Sequence, residues 1–590
     1  MRIILDRMSL CMTSEISYMC RRYQGMTRST TSFSRNHVIR DGLPVWRSRC
    51  VSALFTAGFL VLVARALWVQ GIHPDFYIHE GKKRFEHVLE VKPARGRILD
   101  RNGEPLAIGK PAADVWIVPA EFRSASNSDM ARLASVLGLP EGAIASRGDS
   151  DRKFVFLKRG VEPEVAFEVS QLDVPGVYLI GNDQRYYPGG SDLAQLIGWI
   201  GADGHGSEGV ELADDALLSG VASKRRVIAD RLGRPVDIIG IDAVGAAGQD
   251  LVLSIDRRIQ HVARLAVEHT IEQFGAAAGS AVVVDARTGE MLALVNLPTF
   301  DPNVPMSAYD GRFRNRAIAD VFEPGSTIKP ITVALALTKG IVTPLTRFDT
   351  SPGTFSVYGS VIHDTGNFGN LSVTQIITKS SNIGMAKIAM KLSSQDMWGM
   401  FHRFGVGSPP LKALPAVANG TLHPARLWMP IEKLTMAYGY GLSMSLAQLA
   451  DAYTVFANDG RRIPLSLARL NAPPVGESVV SSRIAQQIRA ILEADGREGT
   501  ARVVNLPDYR TGGKTGTARK QSGHGYAQGK YRAVFVGMAP MSDPRLIVAV
   551  MIDEPSRGSY YGGRVAGPAC AEIIESALHL LGVPPDRSSS

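Results

Sequence analysis

A run of fifteen uncharged residues, Cys50 to Ala64, divides this 590-residue chain into two parts that must fold on different terms. Extended through Arg65 to Gln70 it reaches about 20 residues, enough to span a bilayer as a helix if the Arg65 guanidinium reaches a headgroup layer. Trp68 suits that interface. Residues 1–49 hold nine Arg, no Lys and three acids, so most of the formal charge of +9 lies ahead of the run. That asymmetry reads as a topology signal keeping 1–49 in the cytoplasm. Nucleic acid is discounted, because no zinc finger, RNA-recognition motif or base-reading basic helix is present. Ala64-Arg65-Ala66 has a small-x-small look, but its central Arg, the long leader and the apolar stretch behind it argue against cleavage. The expectation is one uncleaved anchor at 50–70, with everything from residue 71 outside the cytoplasm. Met26 could serve as the start, since residues 1–25 add nothing the anchor needs.

The remainder has room for two domains and, at 45% apolar residues overall, enough to bury a sizeable core. Cys11, Cys20, Cys50 and Cys570 offer no disulfide framework, and the scattered histidines show no ligand spacing, so neither metal nor cofactor is expected. Residues 71–92 read as a polar helical stem. Arg95 to Ala107 reads as a hairpin about Asn102-Gly103. The polar, Gly-rich stretch 240–249 marks a domain boundary. Beyond it, 251–255 is a strand, Arg257–Phe274 has helical periodicity, and 279–285 with 290–295 form a hairpin. Near the end, 533–538 and 546–552 read as strands and 569–581 as an amphipathic helix. Strands at both ends with helices between predict an α+β domain, an antiparallel sheet covered by helices.

Three motifs carry chemistry. Ser326-Thr327-Ile328-Lys329 follows Pro324-Gly325, which places Ser326 at a helix N-terminus with Lys329 on the same face. A serine hydroxyl needs an adjacent base, and lysine serves if burial or a neighbouring cation lowers its pKa; Lys514 is the candidate cation. Ser380-Ser381-Asn382, 54 residues on, ends a helical stretch 373–379 that continues into 382–392. Lys514-Thr515-Gly516-Thr517 lies a further 134 residues on, on an edge strand before a Gly- and Lys-rich loop, 519–532. Gly516 leaves room for a peptide alongside, the Ser326 and Thr517 N–H groups can pair as an oxyanion hole, and Lys514 with the Thr515 and Thr517 hydroxyls can hold a carboxylate. Each motif alone is weak; the three in order point to acyl transfer through a serine ester.

The trio resembles the penicillin-binding protein and serine β-lactamase superfamily. Arg95-Gly96-Arg97 with Asp100-Arg101-Asn102-Gly103, Arg185-Tyr186-Tyr187-Pro188 and Gly206 to Glu211 resemble the non-catalytic domain of class B penicillin-binding proteins. Asp320 to Ser326, Tyr438-Gly439-Tyr440-Gly441 and Tyr560 to Pro568 are most similar to the septal peptidoglycan transpeptidases of Gram-negative bacteria. The resemblance implies a cytoplasmic tail (1–49), an anchor (50–70), an elongated, dimerisation-like pedestal domain (71–245) and a transpeptidase domain (246–585). It implies Ser326 as nucleophile, Lys329 as base, Ser380 as proton relay to the leaving amine and Asn382 as orienter of a substrate amide. Peptidoglycan stem peptides ending in D-Ala-D-Ala would be the substrate, β-lactams would acylate Ser326, and a glycan-polymerising membrane protein and division-complex proteins would be partners. Ser445 and Cys570 depart from the usual Thr and bulkier apolar residue. No Glu-x-x-Leu-Asn lies between Asn382 and Lys514, which argues against a β-lactamase. An elongation-type enzyme of the same class, or a non-catalytic β-lactam-binding sensor or scaffold, are the alternatives.

Overall fold

The computed structural model describes residues 45–587 apart from 73–74, 77–78, 80–85, 92, 202, 230–234, 305–310, 412 and 524. It divides into two compact units, Met1–Val88 with Arg226–Gly240, and Leu89–Arg225 with Ile241–Ser590. In the first unit, α1 (Val45–Leu67) continues as a turn of π-helix to Ile72. Its apolar side chains are exposed, and the 27 residues Val45–Gly71 are long and apolar enough to cross a membrane. One such helix fits a single-pass membrane protein. The helical stem expected over 71–92 is corrected at its end, where Glu86–Val91 is a strand. The β-branched Val88 and Val91 favour that extended form. Lys82, Lys83 and Arg84 lie outside the described residues.

The second unit opens with the hairpin. β1 (Ile98–Leu99) pairs antiparallel with β2 (Pro105–Ile117), which also pairs with β3 (Val155–Val161) and β4 (Val177–Tyr186). β5 (Leu251–Val252) joins β1 in parallel. Asp100 shapes the turn by accepting from the Asn102 and Glu104 N–H groups at 2.7 and 2.9 Å, and its other oxygen accepts from Arg257 N. The sequence signatures of this region converge on one carboxylate. Glu211, fully buried, accepts from Arg95 Nε at 2.7 Å and Arg185 Nε at 2.6 Å, while Arg95 also reaches Asp215. A buried carboxylate persists only when paired in this way.

α2 (Arg257–Phe274) begins at the Asp256 cap and ends at Gly275 in the left-handed region. β6 (Ala278–Asp285) and β7 (Met291–Leu297) are buried on both faces. The middle of the chain supplies α3 (Lys329–Thr338), α4 (Val373–Thr378), α5 (Asn382–Met390), α6 (Leu446–Ala457) and α7 (Ser482–Glu498). β8 (Gly512–Ser522), β9 (Gly525–Ala539), β10 (Leu546–Asp553) and α8 (Gly562–Leu580) close the fold. The sheet order is β7-β6-β10-β9-β8, antiparallel throughout, with β8 at an edge. Alternation along the strands divides the core. Ala281, Val283 and Phe535 pack with α2 and α8, while Val282, Val284, Val534 and Val536 pack with Tyr453 and Phe456 of α6.

Two expectations change here. The loop anticipated over 519–532 is a hairpin of β8 and β9, and its lysines are paired: Lys520 with Asp553 and Glu554, Lys530 with Glu554. The last helix starts at Gly562 rather than 569 and runs through Pro568. Pro568 forfeits a hydrogen bond to the preceding turn, a substantial loss. It is offset by packing, since Val565, Ala566, Ala569 and Cys570 are all buried in that stretch.

Candidate active site

The turn that carries Ser326 is held from below. Gly325, at φ +54°, opens a 3₁₀ turn over Gly325–Ile328 that runs directly into α3. Its N–H donates to Gly439 O at 3.1 Å, and a methyl on Gly439 would lie 2.0 Å from Gly325 O, so the Tyr438–Gly441 segment lies flush beneath the turn. Glu323, three residues before Ser326, accepts from Gly441 N at 2.8 Å and from the Tyr526 hydroxyl at 3.0 Å. Tyr453 of α6 donates its hydroxyl to Thr327 O at 2.8 Å. Within Phe322–Pro330 every residue is buried except Ser326, which stays half-exposed.

Lys329 is fully buried, and its ammonium donates to Ser380 O at 2.6 Å, Ser380 Oγ at 3.2 Å and Asn382 Oδ1 at 2.9 Å. Burial, and then the nearby Lys514 charge, hold the Lys329 pKa well below the usual lysine range. Lys329 thus joins the first motif to the second. The Ser326 hydroxyl itself has no hydrogen-bond partner among the described residues.

The helix expected to continue through the second motif is broken there. α4 stops, Ser380 turns into the left-handed region at φ +58°, and Ser381 caps α5 by accepting from Gly384 N at 2.9 Å. A non-glycine residue at that φ is strained, and the strain turns both the carbonyl and the hydroxyl of Ser380 toward Lys329. Asp364, absent from the sequence reading, anchors the break. Its carboxylate accepts from Ser381 Oγ and Asn382 N, each at 2.5 Å, and from Ile383 N at 3.1 Å. An anion at a helix N-terminus is favoured by the unpaired N–H groups there.

The third motif lies on β8, at the sheet edge as expected. Lys514 is fully buried and 3.2 Å from Asp495 at the end of α7. Its ammonium also donates to Thr500 Oγ1 at 3.1 Å, and the Thr515 hydroxyl meets Thr500 Oγ1 at 3.2 Å. Asp495 and Thr500 were likewise missed from sequence. Thr517 Oγ1 accepts from Gly562 N at 3.0 Å. The room attributed to Gly516 is spoken for by the protein: a methyl there would sit 2.9 Å from Pro324 O and 3.0 Å from Thr327 Cγ2. Its bare Cα seats β8 against the turn that carries Ser326. A methyl on Gly325 would in turn meet the Thr517 backbone at 3.4 Å, so Ser326 and Thr517 belong to neighbouring stretches of chain.

This cleft brings a half-exposed hydroxyl, a lysine of lowered pKa and a second, buried lysine together. Residues 279–575 match the family model described as the penicillin binding protein transpeptidase domain, and 90–253 that of the penicillin-binding protein dimerisation domain. The chain belongs to the penicillin-binding protein transpeptidase family. A dimerisation domain therefore precedes the transpeptidase domain. Among relatives of the family, the probable peptidoglycan D,D-transpeptidase PbpC of Pseudomonas aeruginosa is 38% identical over 92% of this chain and 96% of its own length. The peptidoglycan D,D-transpeptidase FtsI of Escherichia coli is 35% identical over 92% of this chain and 93% of its own. The apo transpeptidase domain of Burkholderia pseudomallei penicillin-binding protein 3 is 46% identical, with a TM-score of 0.53, covering 57% of this chain and 98% of that one.

Proposed function

We propose that the chain is a peptidoglycan D,D-transpeptidase of septal wall synthesis, anchored in the inner membrane by 50–70, with 1–49 cytoplasmic and the rest periplasmic. The observation that carries the chemistry is Lys329, buried and held by Ser380 and Asn382 in the same cleft as the half-exposed Ser326. Residues 71–245 act as the pedestal and 246–585 as the catalytic domain. Neutral Lys329 takes the Ser326 proton as Oγ attacks the carbonyl of the penultimate D-Ala of a stem peptide. The tetrahedral oxyanion is met by the Ser326 and Thr517 N–H groups. The C–N bond then breaks, and Ser380 relays the proton to the departing D-Ala amine. Asn382 orients the donor amide, and Lys514 with Thr515 and Thr517 holds the terminal carboxylate beside Gly516. An amine from a neighbouring stem attacks the Ser326 ester and gives its proton to neutral Lys329. As the amide forms, the bond from the acyl carbon to Ser326 Oγ breaks, and Lys329 returns that proton to Oγ, leaving both groups as they began. β-Lactams acylate Ser326 by the same path, and a glycan-polymerising membrane protein with division-complex proteins supplies the context.

The septal reading rests on the segments around Ser326, Tyr438–Leu442 and Tyr560–Pro568 and on the relatives' names. The test uses the full-length chain in detergent with a D-Ala-D-Ala-terminated donor peptide and an amine acceptor. Amide product in excess of free acid is expected; hydrolysis alone refutes transpeptidation. Depleting the protein in cells should give filaments, and round cells would overturn the septal assignment.

A further inference from the structure

Asp495 sits on the core face of α7, in line with Ile484, Ile488, Ile491 and Leu492, and is fully buried together with Lys514. Lys514 meets its Oδ2 at 3.2 Å, while its Oδ1 accepts from Ala501 N at 3.0 Å and Thr500 Oγ1 at 3.1 Å. The chain wraps tightly round it: a methyl on Gly499 would lie 2.2 Å from Asp495 Oδ1 and 2.8 Å from Thr378 O. Thr500 links the carboxylate to the cleft, since it also touches Lys514 Nζ and Thr515 Oγ1. One carboxylate, one ammonium and two hydroxyls thus form a closed cluster behind β8.

We propose that Asp495 is a positioning residue of the transpeptidase site, supplying the counter-charge that keeps Lys514 an ammonium directed, with Thr500 and Thr515, at the substrate carboxylate. This rests on the D,D-transpeptidase reading. A buried cation without a counter-ion is driven toward its neutral form. The groups facing Asp495 are Lys514 and Thr515 of β8, Thr500, Lys329 of α3 and Tyr453 of α6, and the last two have ionisations that feel its charge. Asp364 is the second anion whose charge Lys329 feels. Burial pushes the Asp495 carboxyl up, and Lys514, Ala501 N–H and Thr500 pull it back toward the ionised form.

The full-length protein is acylated with benzylpenicillin and with its methyl ester, which keeps the reactive ring and lacks the carboxylate. The unaltered chain should prefer the free acid. In Asp495→Asn that preference should fall by about tenfold or more, because a charge-assisted contact is lost, while the ester rate changes less. Equal slowing of both probes, or an unchanged preference, overturns the proposal. Should Asp495→Asn fail to fold, Thr500→Val decides: it removes the hydroxyl that joins the carboxylate to Lys514 and Thr515, the preference for the free acid should fall, and an unchanged preference overturns the proposal. Ser326→Ala, run alongside, separates the two readings. Loss of both reactions there leaves the transpeptidase reading standing whatever Asp495 does, and persistent labelling sinks that reading instead.

Discussion

Gly516→Ala tests how the cleft is assembled. The added methyl would meet Pro324 O at 2.9 Å, Thr327 Cγ2 at 3.0 Å and Val534 Cβ at 3.4 Å. Two of the three contacts are to the turn that carries Ser326, and one of those is to backbone, which cannot rotate away. Restoring ordinary contact distances of about 3.5 Å requires β8 and the turn to part by roughly 0.5 Å. Overpacking of that kind costs about 1–3 kcal/mol, a melting-point loss of several degrees for a domain of this size. A displacement of ~1 Å at a reacting centre slows reaction about 100-fold, so half that distance implies a loss of roughly tenfold. The assay is the second-order acylation rate for a series of β-lactams graded by side-chain size, with melting followed in parallel. A displaced turn slows every member alike. A loss confined to bulky β-lactams would refute the reasoning and return Gly516 to the role of substrate clearance.

Because the Lys329 pKa is lowered by burial and by Lys514, its neutral, proton-accepting form persists to lower pH. Acylation rate should therefore rise with pH and level off well below the ordinary lysine value of about 10.4, and a midpoint near that value in a pH–rate profile would contradict the base assignment. Asp364→Asn removes the charge that accepts from Ser381, Asn382 and Ile383; about 1–3 kcal/mol of stability and at least tenfold in acylation should go with it, read by calorimetry and fluorescent-penicillin labelling. Glu211→Gln leaves Arg95 and Arg185 without their buried counter-charge, and should destabilise the protein by roughly 3–5 kcal/mol while the acylation rate per folded molecule holds.

What the sequence made legible follows from how local each signal is. α2 is bounded by its own cap and its own glycine, and the fully buried β6 run has a composition few other structures accommodate. The three motifs could be read because each is contiguous. Asp364, Asp495 and Thr500 could not, since each works on a motif 14 to 19 residues away through a fold that no short window displays. Asp495 did leave a trace: a carboxylate in register with Ile488, Ile491 and Leu492 on a helix core face requires a buried cation as partner. The break at Ser380 left none, because the tertiary pull of Lys329 and Asp364, rather than local propensity, stops α4. Pro568 misled for the reverse reason, its local veto being overruled by packing.

The assignment of Ser326 is tested most directly by peptide mapping, with mass spectrometry, of the full-length chain after reaction with benzylpenicillin. A single penicilloyl group on the peptide containing Ser326, absent from Ser326→Ala, is the expected result. An adduct on Ser380, Ser381 or any other residue, or one that survives in the variant, would contradict it.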